Sequence, residues 1–136
     1  MADDVILGKV AIMERCVARI REVHAGDDAS FTVDPTRQDS IVLNLQRGCE
    51  AAIDLAMHVV RSRHLGLPQE SREAFEILER SGLVSSEIST RMKRMVGFRN
   101  IAVHDYRSLD PEIVLAVVRG RLGDFLEFGA AMLRLA

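Results

Sequence analysis

Ile41, Leu45, Cys49, Ala52, Ala56 and Val59 follow one another at intervals of four, four, three, four and three. That spacing is one face of an α-helix and fits no strand, whose apolar residues alternate. Nowhere does the chain show a clean two-residue alternation, and one tyrosine with no tryptophan gives sheets little to build on. The fold class is therefore all-α, a set of helices that bury their stripes against one another.

Start and stop signals divide the chain. A first helix is expected from about Val5 to His24, with Met13, Cys16, Val17, Ile20 and Val23 as its apolar stripe. Gly26-Asp27-Asp28 stops it and a loop leads to Asp34. Asp34-Pro35 starts the second helix, because the carboxylate can accept bonds from free N–H groups and proline has no N–H to lose. That helix runs to about Arg63, and the stretch from His64 to Pro68 breaks it. A short helix is expected from roughly Ser71 to Ser81, ending at Gly82 as a left-handed cap. Another begins near Ser85 or Ser86. Asp110-Pro111-Glu112 repeats the start signal, and the last helix runs to about Leu135. The expected architecture is an up-and-down bundle of four longer helices plus a short one. With 136 residues and no internal repeat, a single domain over 1–136 is expected.

Several function classes find no support. A net charge of −2 argues against coating nucleic acid by bulk charge. Cys16 and Cys49 stand alone, which suits a reducing cytoplasm and gives no hint of structural zinc. The acidic start leads into no secretory segment, and no apolar run is long enough to span a bilayer; a cytoplasmic protein is expected. His24, His58, His64 and His104 lack zinc-ligand spacing, and no HExxH, P-loop or GxSxG motif occurs. The aromatic stacking residues of common single-strand RNA readers are missing too.

One segment does not fit a plain bundle. In Gly97-Phe98-Arg99-Asn100-Ile101-Ala102-Val103-His104-Asp105-Tyr106, four polar or amphipathic groups crowd an apolar run. On helical spacing, Ile88, Met92, Met95, Ala102 and Val103 form one stripe, and Arg99 falls in its middle. Lys93, Gly97, Asn100 and His104 line up on the opposite side. Arg99 is either paired internally with a carboxylate, Glu50 or Asp54 being candidates, or held for a phosphate, whose geometry its planar fork matches. Glu50 and Asp54 are otherwise expected to pair with Arg47 or His58. Gly97, a poor helix former, would let a backbone or ligand come close. His104 is either a polar residue favoured at a helix end or a general acid–base group with a pKa near neutrality. Tyr106 is either an amphipathic edge residue or something with a role of its own.

In one unbroken helix Arg99 and His104 point about 140° apart. Both can serve one phosphate only if the helix unwinds before His104 or a second copy of the chain completes the site. Between Arg91 and Arg107 five basic residues, Arg91, Lys93, Arg94, Arg99 and Arg107, face Asp105 alone. This local +4 in a chain of −2 suits a polyanion. Lys93, Arg94 and Arg107 are the candidate RNA contacts.

Arg99, four intervening residues, then His104-Asp105-Tyr106 fit R-x4-H-x-Y, with Asn100 as the polar residue after the arginine. This resembles the HEPN superfamily and specifically its HepT-like toxins. The early "LGKVAIMERCVARIREV", the helix "NLQRGCEAAIDLAMHVV" and the "DPEIV" start extend the likeness over nearly the whole chain. The resemblance implies a homodimeric all-α bundle with two motifs meeting in a cleft. It implies a metal-independent endoribonuclease, without cofactor, that acts as the toxin of a toxin–antitoxin pair. It implies an MntA-like nucleotidyltransferase antitoxin that silences the toxin by attaching AMP to the motif tyrosine, here Tyr106. Within it, His104 would move a proton, Arg99 would stabilise charge at phosphorus, and Asn100 would orient His104 or the phosphate. Two other classes stay open: a non-catalytic module that binds a nucleotidyltransferase or nucleotide, and a structural bundle in which Arg99 is a buried ion-pair partner.

Overall fold

The computed structural model describes residues 2–136. Among them are α1 (Asp4–His24), α2 (Asp28–Val33), α3 (Pro35–Ser62), α4 (Ser71–Arg80), α5 (Ser86–His104), a 3-10 turn (Tyr106–Ser108), α6 (Pro111–Gly120) and α7 (Leu122–Leu133). The all-α bundle is as expected. α3 is its axis, packed against α1, α2, α4, α5 and α7. The six stripe residues from Ile41 to Val59 are all buried. The start signals work through side chains: Asp34 accepts from the Thr36 and Arg37 N–H groups, Ser85 from Ile88, and Asp110 from Glu112. Gly82, at φ +75°, closes α4 as expected.

Two segments differ from the sequence expectation. The loop expected before Asp34 contains α2. Asp27 caps it by accepting from the Ser30 N–H at 3.0 Å, and burial of Phe31 seats it. The single last helix is broken at Arg121, between α6 and α7. Gly120 and Gly123, the poorest helix formers short of proline, flank the break.

α4 and α5 run antiparallel, with Glu76 beside Lys93 and Ser71 beside Arg99. α4 therefore begins at the level of Arg99, and the last turn of α5 projects past it. This corrects the expected stripe. Met92, Met95 and Ala102 are buried with Val96 and Phe98, but Val103 and its neighbour Ile101 lie exposed on the projecting turn.

Candidate functional site

α5 stays helical through His104, so the helix does not unwind before the histidine. It ends at Asp105, whose φ of −152° and ψ of 60° turn the chain into the 3-10 segment. Asp105 then accepts a hydrogen bond from the Ser108 hydroxyl at 2.6 Å, which fixes that turn. His104 is exposed in the last turn. It and Arg99 diverge by about 140° within one chain.

Arg99 is mostly buried and doubly held. Nη1 lies 3.3 Å from Glu50 Oε1 on α3, and Nη2 donates to Ser71 Oγ at 3.1 Å on α4. Its buried Nε has no partner among the described residues. Of the two carboxylates considered for it, Glu50 is the partner. Asp54 instead pairs with Lys9 at 3.2 Å, and His58 with Asp3 at 2.8 Å, so neither acid pairs as expected with Arg47 or His58. Thus Arg99 is both an ion-pair residue and the wall of an open groove.

That groove, about 240 Å³, is lined by Glu70, Ser71, Arg72, Val96, Arg99 and Asn100. Arg72 is exposed, and a Cβ on Gly97 would stand 3.0 Å from its Nη2. Gly97 thus makes room for a guanidinium lying across α5, a side chain in place of the backbone or ligand its sequence suggested. At the cap of α4 Glu70 makes no side-chain hydrogen bond, so the helix start faces the groove without a side-chain acceptor. Two arginines, an amide and a helix start converge where an anion's oxygens can be met, although the Glu70 carboxylate shares the lining and Glu50 already pairs with Arg99. Arg72 and Ser71 escaped the sequence reading because they lie on another helix, and no short motif carries them.

The remaining candidate cations divide. Lys93 sits 3.7 Å from Glu76, and Arg91 pairs with Glu127 at 2.8 Å, so the local positive charge is partly compensated. Arg94 and Arg107 are exposed and have no ion-pair partner among the described residues. Tyr106 is 46% exposed, and its hydroxyl donates to Asp39 Oδ1 on α3 at 2.5 Å. That bond, with some burial, pushes the phenol up to about 12. Cys49 is no rival nucleophile, since burial pushes its thiol to about 12. Among the described residues no three His, Cys, Asp or Glu side chains converge as a metal ion would need. No helix there is long and apolar enough to cross a membrane.

Residues 13–132 match the family model described as ribonuclease HepT-like. The chain is 48% identical over 126 residues to the mRNA nuclease HepT of Shewanella oneidensis, covering 93% of this chain and 94% of that one. Its fold matches a tri-AMPylated Shewanella oneidensis HEPN toxin in complex with MNT antitoxin at a TM-score of 0.91. The identity there is 47%, over 96% of this chain and 97% of that one. A toxin–antitoxin structure with AMP-PNP matches equally well, at a TM-score of 0.91 and 46% identity, over 96% of this chain and 98% of that one.

Proposed function

The chain belongs to the ribonuclease HepT-like family, and from that premise we propose that it is the toxin of a toxin–antitoxin pair, an endoribonuclease whose site forms where two copies bring their α5 ends together. Residues 1–136 act as one HEPN-like domain, at work in the cytoplasm. The observation that carries the reading is the end of α5. There a clamped arginine borders an open cationic groove, and one turn further an exposed histidine projects beyond the cover of α4. A single copy directs the two groups apart, and a second copy supplies the missing half. Ile101 and Val103, exposed on the same turn, give such a pairing apolar surface.

RNA carries its own nucleophile. The 2′-OH attacks the adjacent phosphorus, the bond to the 5′-oxygen breaks, and the products end in a 2′,3′-cyclic phosphate and a 5′-hydroxyl. His104 moves the proton, and Arg99 stabilises the charge that develops on the phosphoryl oxygens. Asn100 orients the phosphate or the imidazole. Arg72, Arg94 and Arg107 hold flanking phosphates, and Lys93 contributes less while Glu76 lies beside it. None of these steps requires a metal ion.

Silencing follows the relative found tri-AMPylated with its antitoxin. A nucleotidyltransferase partner attaches AMP to Tyr106, whose hydroxyl stands at the surface two residues beyond His104. The test is digestion of RNA in EDTA with Arg99→Ala and His104→Ala alongside. Cleavage with cyclic phosphate ends, abolished in both folded variants, is expected. Activity that returns only on adding a divalent metal, or that survives either substitution, refutes the mechanism. A binding module would show no cleavage in any of the three proteins.

A further inference from the structure

We propose that Asp39 is the proton acceptor for Tyr106 when the tyrosine hydroxyl takes AMP. This rests on the silencing reading above and deepens it. Asp39 lies on α3, 67 positions away in sequence, outside the R-x4-H-x-Y motif.

The geometry is that of a nucleophile with its base. The hydroxyl donates to Asp39 Oδ1 at 2.5 Å, the range of a hydrogen bond to an ionised carboxylate. Both side chains are exposed, so a nucleotide can approach from solvent while the bond stays in place. The ring is seated in a groove with Phe31, Gln38, Val42, Leu109, Pro111 and Val114, none of which ionises. The nearby Asp105 is engaged with Ser108. Asp39 is therefore the charge that acts on the phenol, and it holds the phenolic proton more tightly than an ordinary tyrosine would.

A neutral phenol must lose its proton as it attacks phosphorus. With ATP delivered by the nucleotidyltransferase, Tyr106 Oη forms a bond to the α-phosphorus. The bond from that phosphorus to the oxygen bridging to the β-phosphate breaks, and pyrophosphate leaves with the electron pair. The phenolic proton passes to Asp39 Oδ1. Nothing is oxidised or reduced.

The experiment measures initial rates of AMP transfer from radiolabelled ATP to the toxin, with the antitoxin in excess, from about pH 6 to pH 10. Wild type, Asp39→Asn and Asp39→Glu are compared. Asp39→Asn is expected to transfer about a hundredfold more slowly at pH 7, with the loss in kcat and the KM for ATP unchanged. Its rate should climb about tenfold per pH unit and meet the wild type near pH 9, as the ionised fraction of an ordinary phenol, with its pKa near 10, rises. Asp39→Glu should restore much of the rate, and all three unmodified proteins should cleave RNA alike. Transfer to Asp39→Asn at the wild-type rate, or slowing by the same factor at every pH, overturns the proposal and leaves the silencing reading standing. A wild type that takes no AMP on Tyr106 overturns both.

Discussion

Replacing Arg99 with alanine separates an arginine that holds the bundle together from one that acts on RNA. The guanidinium binds Glu50 at 3.3 Å and Ser71 at 3.1 Å, and its side chain is 19% exposed against 43% for Glu50. Orphaning a fully buried carboxylate costs about 3–5 kcal/mol. Glu50 is too exposed for that and rehydrates once its partner is gone. What remains is a partly exposed ion pair and one hydroxyl bond, about 1–2 kcal/mol together. For a chain of this length that lowers Tm by about 3–7 °C. Removing a cation from the transition state costs about 10²–10³ in rate. The two effects are read in one preparation, by thermal melting and by single-turnover cleavage of an oligoribonucleotide at 25 °C. Arg99→Ala should melt a few degrees lower and cleave at least about a hundredfold more slowly. Glu50→Gln removes the ion pair but keeps the Ser71 bond, so it should lower Tm by less than Arg99→Ala while cleaving within about tenfold of wild type. If Arg99→Ala is unfolded at 25 °C, or if the two variants lose cleavage in parallel, the arginine is structural and the catalytic assignment fails.

Gly97→Ala should raise Tm, because alanine favours a helix by about 0.5–1 kcal/mol and the atom it meets is the far end of the Arg72 side chain. The same change pushes Arg72 off the groove, so RNA affinity should fall in binding assays; a stabilised variant with undiminished affinity contradicts the groove's role. Arg72→Ala should weaken RNA binding across sequences and reduce the slope of log K against log salt by about 0.7, the share of one phosphate contact on a single strand. Tyr106→Phe should cleave RNA like the wild type but carry no AMP after incubation with the antitoxin and ATP; mass spectrometry that finds AMP on another residue refutes the assignment. Asp28 is held below its ordinary 3.8 by hydrogen bonds from His24 and then Arg119. A lowered folded pKa stabilises above pH 3.8 and the contribution is lost as pH falls below it. The acid limb of Tm against pH should therefore flatten in Asp28→Asn, and an unchanged limb removes Asp28 from the account.

The helices were legible because their signals are local. Asp34-Pro35, Ser85 and Asp110-Pro111 cap the helices they announce, and the long stripe of α3 is wholly buried. α2 was missed because a helix of six residues is set by the seating of one side chain, Phe31, rather than by periodicity. Val103 was misplaced for a different reason. Periodicity places a residue on a face but does not say how far the covering helix reaches, and α4 begins level with Arg99. At the site, Arg99 was found because it interrupts an apolar stripe. Its partner Glu50 was one of two candidates, four residues apart and equivalent by spacing; only the contact between α3 and α5 separates them. Arg72 and Asp39 left no sequence signal, since each matters through a contact with a residue remote in the chain.

On the proposed reading, the break after His104 explains how cleavage and silencing can share so short a segment. A helix continued through residue 106 would carry the tyrosine about 200° round from the histidine, on the opposite side. Asp105 leaves helical geometry instead, and Ser108 secures the turn. Tyr106 then sits on the 3-10 turn, within about 7 Å of backbone from His104, and reaches Asp39 on α3. An adenylate is longer than that separation and carries a negative charge, so on the proposed reading one attached to Tyr106 would overlap the path of an RNA backbone toward His104 and repel it. The proline of Asp110-Pro111 starts α6 just beyond and confines the excursion to a few residues. If the turn is what gives AMP its reach, then Asp105→Ala, which releases Ser108, should leave RNA cleavage by the unmodified protein intact while AMP on Tyr106 inhibits it less completely. Full inhibition in that variant, measured on quantitatively modified protein, would show that the adenylate acts without help from the turn.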